Sequence, residues 1–485
     1  MTVCTREMVA DCSALPCAAL LCSALLAPPL RQEVKAANGK LAAPGARHVP
    51  PGGGRTDLSC QELIPEWAVA RLEKGPTVLD YDEEGMQLGG YLADMDVARE
   101  AFEGPRSRPA GAPALPGRPE DTVVLVGGAT GYIGRFVVKQ LVARGYKTYA
   151  MARPKSGPGG ARSIEDTRKD LAGAELVFCD PVDKDGANIQ RVYDELNGKG
   201  VKVDAVISCL ASRTGGVRDS WEVDYLASKR LLDCARAQGA AHFTLLGAIC
   251  VQKPLLEFHR AKLALFEYMK TLDDIGWTDV RPTAYFKSLV APIQIARWGG
   301  AYSTFDGGAS NPNKAMAEEE LADYIIDCFE KPEQQQRALP IGGPGRALDI
   351  KQQGEVVFEA MGKEPTFNEA PIGIFDVIIG GLSWLDKTFP GGKDDSFLNG
   401  KFEDPAEFAK IGKFYATEPM LAINPETGRY DPGYTPEHGT ISLEDWLKKA
   451  ATQKDGLDDQ LEQGAGLASF ANLTKWARDA MPKMS

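Results

Sequence analysis

The stretch Val123-Val-Leu-Val-Gly-Gly-Ala-Thr-Gly-Tyr-Ile-Gly134 decides how this chain is read. Val123, Val124, Leu125 and Val126 form a short apolar run, the pattern of a parallel strand buried on both faces. Gly128, Gly131 and Gly134 follow at three-residue spacing, and Phe136, Val137, Leu141 and Val142 begin a helical period. Strand, glycine turn and helix together form the context in which such glycines bind a dinucleotide. Gly128 permits the tight turn, Gly131 lets a diphosphate approach the backbone, and Gly134 lets the helix pack close to the strand. Thr130, Tyr132 and Ile133 complete the loop, whose N–H groups at the helix start face the anion. An ordinary βα turn is the alternative, and a lone glycine triplet would suit it better than this full context does.

Ala129 stands where a Gly-x-Gly-x-x-Gly motif has its first glycine, with Gly128 one place earlier. That Thr-Gly-x-x-Gly style resembles the extended and atypical short-chain dehydrogenases/reductases. A second strand, 147–151, leads into Ala152 and Arg153, about 20 residues past Gly134, where an NAD site usually has Asp or Glu. Arg153 suits a 2′-phosphate instead, and Lys155 adds a second cation, so the cofactor reads as NADPH. Further strands are expected at 175–180, 203–210 and 242–246, with helices at about 219–238 and 256–272, and 277–281 leads into Pro282. This alternation predicts an α/β chain with a Rossmann-type doubly wound parallel sheet. Asp180, directly after its strand, is a candidate adenine contact or a turn residue.

The net charge of −12 argues against nucleic-acid binding. Residues 1–55 differ from the rest. An apolar stretch at 14–26 is too short to span a bilayer, and Arg31, Lys35, Lys40, Arg47 and Arg55 behind it face only Glu33. This reads as a two-part presequence for plastid import, removed on arrival, although Glu7 and Asp11 interrupt its start. Residues 56–119 read as an N-terminal extension with a Pro-rich linker, 120–300 as the cofactor domain, 301–452 as a smaller α+β substrate-binding part, and 453–485 as a C-terminal extension. The scattered cysteines suggest neither a disulfide framework nor a metal site, and no histidines pair at ligand spacing.

Short-chain dehydrogenases usually rest their chemistry on Tyr-x-x-x-Lys. Here Phe258-His-Arg-Ala-Lys262 keeps the lysine and replaces the tyrosine, and Gly247 stands where the upstream serine is expected. Phenylalanine has no proton to give, so carbonyl reduction by a tyrosine acid is disfavoured. Several longer blocks are more specific. Ser208–Arg213, Gly215–Trp221, Ala248–Phe258, Arg281–Ser288, Leu339–Gly345 and Lys410–Ala416 resemble the NADPH-dependent divinyl chlorophyllide a 8-vinyl reductases, a likeness running from about 122 to 449. The resemblance implies a plastid enzyme that reduces the 8-vinyl group of a tetrapyrrole, divinyl chlorophyllide a or its protochlorophyllide counterpart. A conjugated vinyl accepts hydride without forming an oxyanion, which fits the missing tyrosine. By the resemblance Lys262 orients the nicotinamide ribose, and it is a candidate to help deliver the proton, for which Tyr285, Cys250 and solvent are the competing sources.

The apolar segment 371–389 is expected to wall the pigment pocket or to form core, and Arg213, Arg281 and Lys287 are candidate partners of the pigment's carboxylate. Gly380, Gly381 and Lys387 argue against a transmembrane helix, which leaves peripheral contact with a thylakoid or envelope membrane open. Two rival readings are a non-catalytic NADP-binding plastid assembly or regulatory factor, and an alkene reductase similar to the isoflavone reductases.

Overall fold

Every residue of β1 (Val123–Gly127) is buried, because strands pair with it on both edges and helices cover both faces. A computed structural model of the chain describes residues 80–81, 87–88, 95–104, 106–154, 162–183, 186–309, 311–388 and 403–453. The presequence stretch, the helical pattern around Leu63, Trp67 and Leu72, Lys155, Phe389 and all but the first residue of 453–485 lie outside the described residues.

The sheet continues through β2 (Lys147–Ala152), β3 (Glu175–Phe178), β4 (Ala205–Ser208), β5 (His242–Leu246), β6 (Gly276–Pro282) and β8 (Arg337–Ile341). Its order is β8-β6-β5-β4-β1-β2-β3, and all pairings are parallel. The chain starts in the middle, winds to one edge, and returns across β1 to build the other half. That reversal makes the sheet doubly wound and opens a crevice beyond the strands' C-terminal ends. The edge strand β8 comes from the 301–452 span, so the C-terminal part returns to the sheet. β3 ends at Phe178 and β4 spans only Ala205–Ser208, each shorter than the apolar pattern suggested.

Strand residues alternate between two cores, as a period of two requires. Leu125, Met151, Val206 and Leu245 face α3 (Ala187–Gly198), α4 (217–237) and α5 (Glu257–Lys270). Val124, Val126, Ala150 and Ile207 face α1 (Tyr132–Ala143) and α7 (Glu318–Glu330). α2 (Ile164–Asp170) is fixed at its start by a capping box between Ser163 and Asp166.

Beyond β6, α6 (Val290–Arg297), β7 (Tyr302–Phe305), α8 (Ile350–Ala360), β9 (Phe367–Ala370), α9 (Gly373–Thr388), α10 (Glu403–Thr417) and α11 (Leu443–Thr452) make a smaller α+β part. β7 and β9 pair in parallel as a separate two-stranded sheet. This part is tied to the sheet by a buried ion pair, Lys253 Nζ to Glu418 at 2.9 Å. Gln252 adds bonds to the backbone of Leu421 and Ile423. Among the described residues no helix is long and apolar enough to cross a membrane.

Candidate active site

The turn between β1 and α1 leaves no room for side chains. Gly128 has φ +72°, and a Cβ there would stand 2.4 Å from the carbonyl oxygen of Cys209. At Gly134 a Cβ would meet the Gly128 oxygen at 2.2 Å, so helix and turn touch only because both residues are glycine. Gly131 donates its N–H to Gly128 O at 2.9 Å, is exposed, and caps α1. Such a bare, open turn at the free N–H groups of a helix fits the diphosphate of a dinucleotide. Thr130 is half-buried, and the Ile133 side chain belongs to the core, so only its backbone faces the turn.

Arg153 directly follows β2 and is half-buried. Burial, and next the neighbouring Arg213 guanidinium, hold its pKa below the ordinary arginine value, while Asp180 and Asp219 act the other way. Two guanidiniums so close make a place that an anion would relieve. Asp180 is exposed and accepts the Val182 N–H at 3.3 Å, which is the turn role, though its charge still reaches Arg153.

Lys262 rises from α5 into the strand ends and is buried. Its ammonium donates to Leu246 O at 3.1 Å and to Leu210 O at 3.5 Å, and pairs with Asp224 Oδ1 at 3.1 Å. Asp224, only 1% exposed, also accepts the Ser212 N–H at 3.0 Å. Burial pushes its carboxyl pKa up against the pull of Lys262. Asp224 sits in a π-helical stretch of α4, Ser220–Ala227, a rare form that often marks functional sites. Sequence reasoning passed over Asp224. The available signal was a buried lysine's need for an anion on a neighbouring helix.

A cavity of about 290 Å³ opens here, lined by Lys262, Phe258 and Pro282 from the sheet side and by Tyr302, Phe305 and Ile411 from the C-terminal part. Its lining is mainly apolar. Tyr285 joins the wall, with its phenol pKa raised by burial and by nearby Cys209 and Cys250. Tyr415 of α10 also lines the cavity and is hydrogen-bonded to Cys250, a residue pushed up to about 12 by burial. Tyr415 was missed too, although Ile411 and Tyr415 share the i, i+4 spacing of one helix face. At Gly247 a Cβ would stand 2.2 Å from Asp279 Oδ1, so the site as built has no place for a serine.

None of the three candidate carboxylate partners lines the cavity. Arg281 is 1% exposed and pairs with Asp279 at 2.7 Å, because a cation inside the sheet layer must carry its own counter-ion. Lys287 turns away from the cavity toward Tyr132. Arg213 is half-buried beside Arg153.

The NAD(P)H-binding family profile matches residues 128–332. The divinyl chlorophyllide a 8-vinyl-reductase of Cucumis sativus, a chloroplastic protein, is 45% identical over 339 residues, covering 69% of this chain and 77% of the relative. Its Zea mays counterpart is 45% identical over 359 residues, covering 73% and 85%. Among solved structures, leucoanthocyanidin reductase with NADPH from Vitis vinifera superposes with a TM-score of 0.46 at 14% identity, over 68% of this chain and 100% of that one.

Proposed function

The chain belongs to the divinyl chlorophyllide a 8-vinyl-reductase family, and from that premise we propose that it reduces the 8-vinyl group of divinyl chlorophyllide a, or of divinyl protochlorophyllide, to ethyl. It is an oxidoreductase of chlorophyll biosynthesis that acts in a plastid on a tetrapyrrole. The observation that carries the reading is the cavity at the strand ends. Its walls are mostly apolar, its floor holds Lys262, and Phe258 occupies the place of a tyrosine acid.

NADPH, when bound, supplies the hydride. The turn Gly128–Gly134, with the backbone of Thr130, Tyr132 and Ile133, holds the diphosphate. Arg153, with Arg213 beside it, pairs with the 2′-phosphate and sets the preference for NADPH. Pro282 walls the nicotinamide end. Lys262 would hold the nicotinamide ribose through its ammonium, while Asp224 fixes that ammonium in place at 3.1 Å. Hydride enters at the terminal vinyl carbon, and the electron pair spreads into the macrocycle. A proton then goes to the inner carbon from the protic wall of Tyr285, Cys250 and Tyr415. No oxyanion forms, so nothing in this wall has to act as a carbonyl reductase's tyrosine does. The mainly apolar cavity aligns the two reactants, the larger part of what such a site must supply.

Val377 and Trp384 on α9 are 76% and 63% exposed. We assign this outward apolar face to peripheral contact with a thylakoid or envelope membrane. The central experiment is incubation of the purified protein with NADPH and divinyl chlorophyllide a, followed by separation of the pigments. Conversion to the 8-ethyl pigment is expected. NADP binding without any conversion would instead favour an assembly or regulatory factor.

A further inference from the structure

We propose that Lys287 is the cation that receives the diphosphate of the bound cofactor; this rests on the reading above and adds to it a charged residue outside the glycine motif. The Lys287 ammonium lies 3.9 Å from the centroid of the Tyr132 ring. Tyr132 is the first residue of α1, immediately after Gly131, so the cation packs against the first side chain of that helix, next to the glycine turn. The Arg135 guanidinium approaches the same ring, 5.6 Å from its centroid.

The carboxylates whose charge reaches this cluster are already engaged, and Asp170 pairs with Arg135 at 3.8 Å. Glu318 Oε1 accepts the Tyr132 hydroxyl at 2.5 Å and the backbone N–H of Lys287 at 3.1 Å. Among the described residues no carboxylate forms an ion pair with the Lys287 ammonium. A half-buried ammonium with no ion-pair partner among the described residues, near a second cation and against the first residue of a helix, offers a place for an anion. The cofactor's diphosphate fits better than the pigment's carboxylate. Tyr285, Ser288 and Leu289 around it line the pigment cavity, and Lys287 does not.

The charge balance gives the site a pH signature. The groups facing Lys287 are Tyr132 and Arg135 from α1, the latter paired with Asp170, and Glu318 from α7. Burial, and then Arg135, bring the Lys287 pKa down to about 7, with Glu318 opposing them. A diphosphate favours the ammonium, so binding above pH 7 must draw in a proton. Affinity is therefore highest below pH 7 and falls as pH rises, by at most about tenfold per pH unit.

The test is titration of the full chain with NADP⁺, without pigment, from pH 6 to 9. The wild type is compared with Lys287→Met and Lys287→Arg, and circular dichroism checks their fold. Lys287→Met is expected to bind roughly tenfold or more weakly at pH 6 and to lose the decline above pH 7. Lys287→Arg is expected to keep most of the affinity but none of the decline. Wild-type affinity for NADP⁺ in Lys287→Met would overturn the proposal; if that variant also showed a raised KM for pigment, the ammonium would belong to the pigment's carboxylate. A wild type that does not bind NADP⁺ at all would overturn the cofactor reading itself.

Discussion

A buried ammonium needs a partner for each of its donors, and Lys262 finds three in Asp224 and two strand-end carbonyls. Replacing Asp224 with alanine should leave that charge buried and unpaired, costing about 3–5 kcal/mol. Urea denaturation would register it, and Asp224→Asn should cost less. Lys262→Met should cost stability by stranding Asp224 and lower the turnover of the folded enzyme roughly a hundredfold, since misplacing the nicotinamide by about 1 Å has that effect. Tyr285→Phe should be mild, because Cys250 and Tyr415 stand in the same wall. Arg153→Ala should weaken NADPH binding about ten- to hundredfold and leave NADH almost unchanged, as measured by cofactor titration. Equal losses for both cofactors would make Arg153 structural. Of these residues, Arg153 and Lys262 were legible in the sequence because each stands at a fixed distance from a motif. Asp224, Tyr415 and the surroundings of Lys287 were not, because their partners come from elements far along the chain.

Elements show the same division. The strands announced themselves, since a strand buried on both faces reads as an unbroken apolar run, as at Val123–Val126. The lengths of β3 and β4 did not, because apolar residues continue past the last ladder bond into the loops that line the site. The link between the C-terminal part and the sheet was equally hidden, as Lys253 and Glu418 are simply charged residues until the fold buries them. Lys253→Met alone should destabilise by about 3–5 kcal/mol by stranding Glu418, and adding Glu418→Leu should recover much of the loss. A double-mutant cycle in urea reads this, and additive losses would show that the pair is not coupled. The exposed face of α9 should bind anionic vesicles in a flotation assay, and Trp384→Ser with Val377→Ser should abolish that binding.

At the scale of the molecule, acid sensitivity follows from the buried histidines. Burial lowers the His242 pKa to about 3 and takes His259 well below its ordinary value. Unfolding returns His242 to about 6.5, so between those values the unfolded chain binds the extra proton. Its contribution is thus complete above pH 6.5 and is lost progressively as pH falls toward 3. His242→Phe should flatten the stability profile in that window relative to wild type, by up to about 1.4 kcal/mol per pH unit. In the proposed function the whole arrangement, from glycine turn to protic wall, serves one event, the transfer of hydride to the outer carbon of a vinyl group. The most direct measurement places deuterium at the transferred position of NADPH and locates it in the 8-ethyl product by mass spectrometry and NMR. One deuterium in the terminal methyl, with solvent hydrogen in the methylene, is the predicted result; label in the methylene, or none retained, would contradict it.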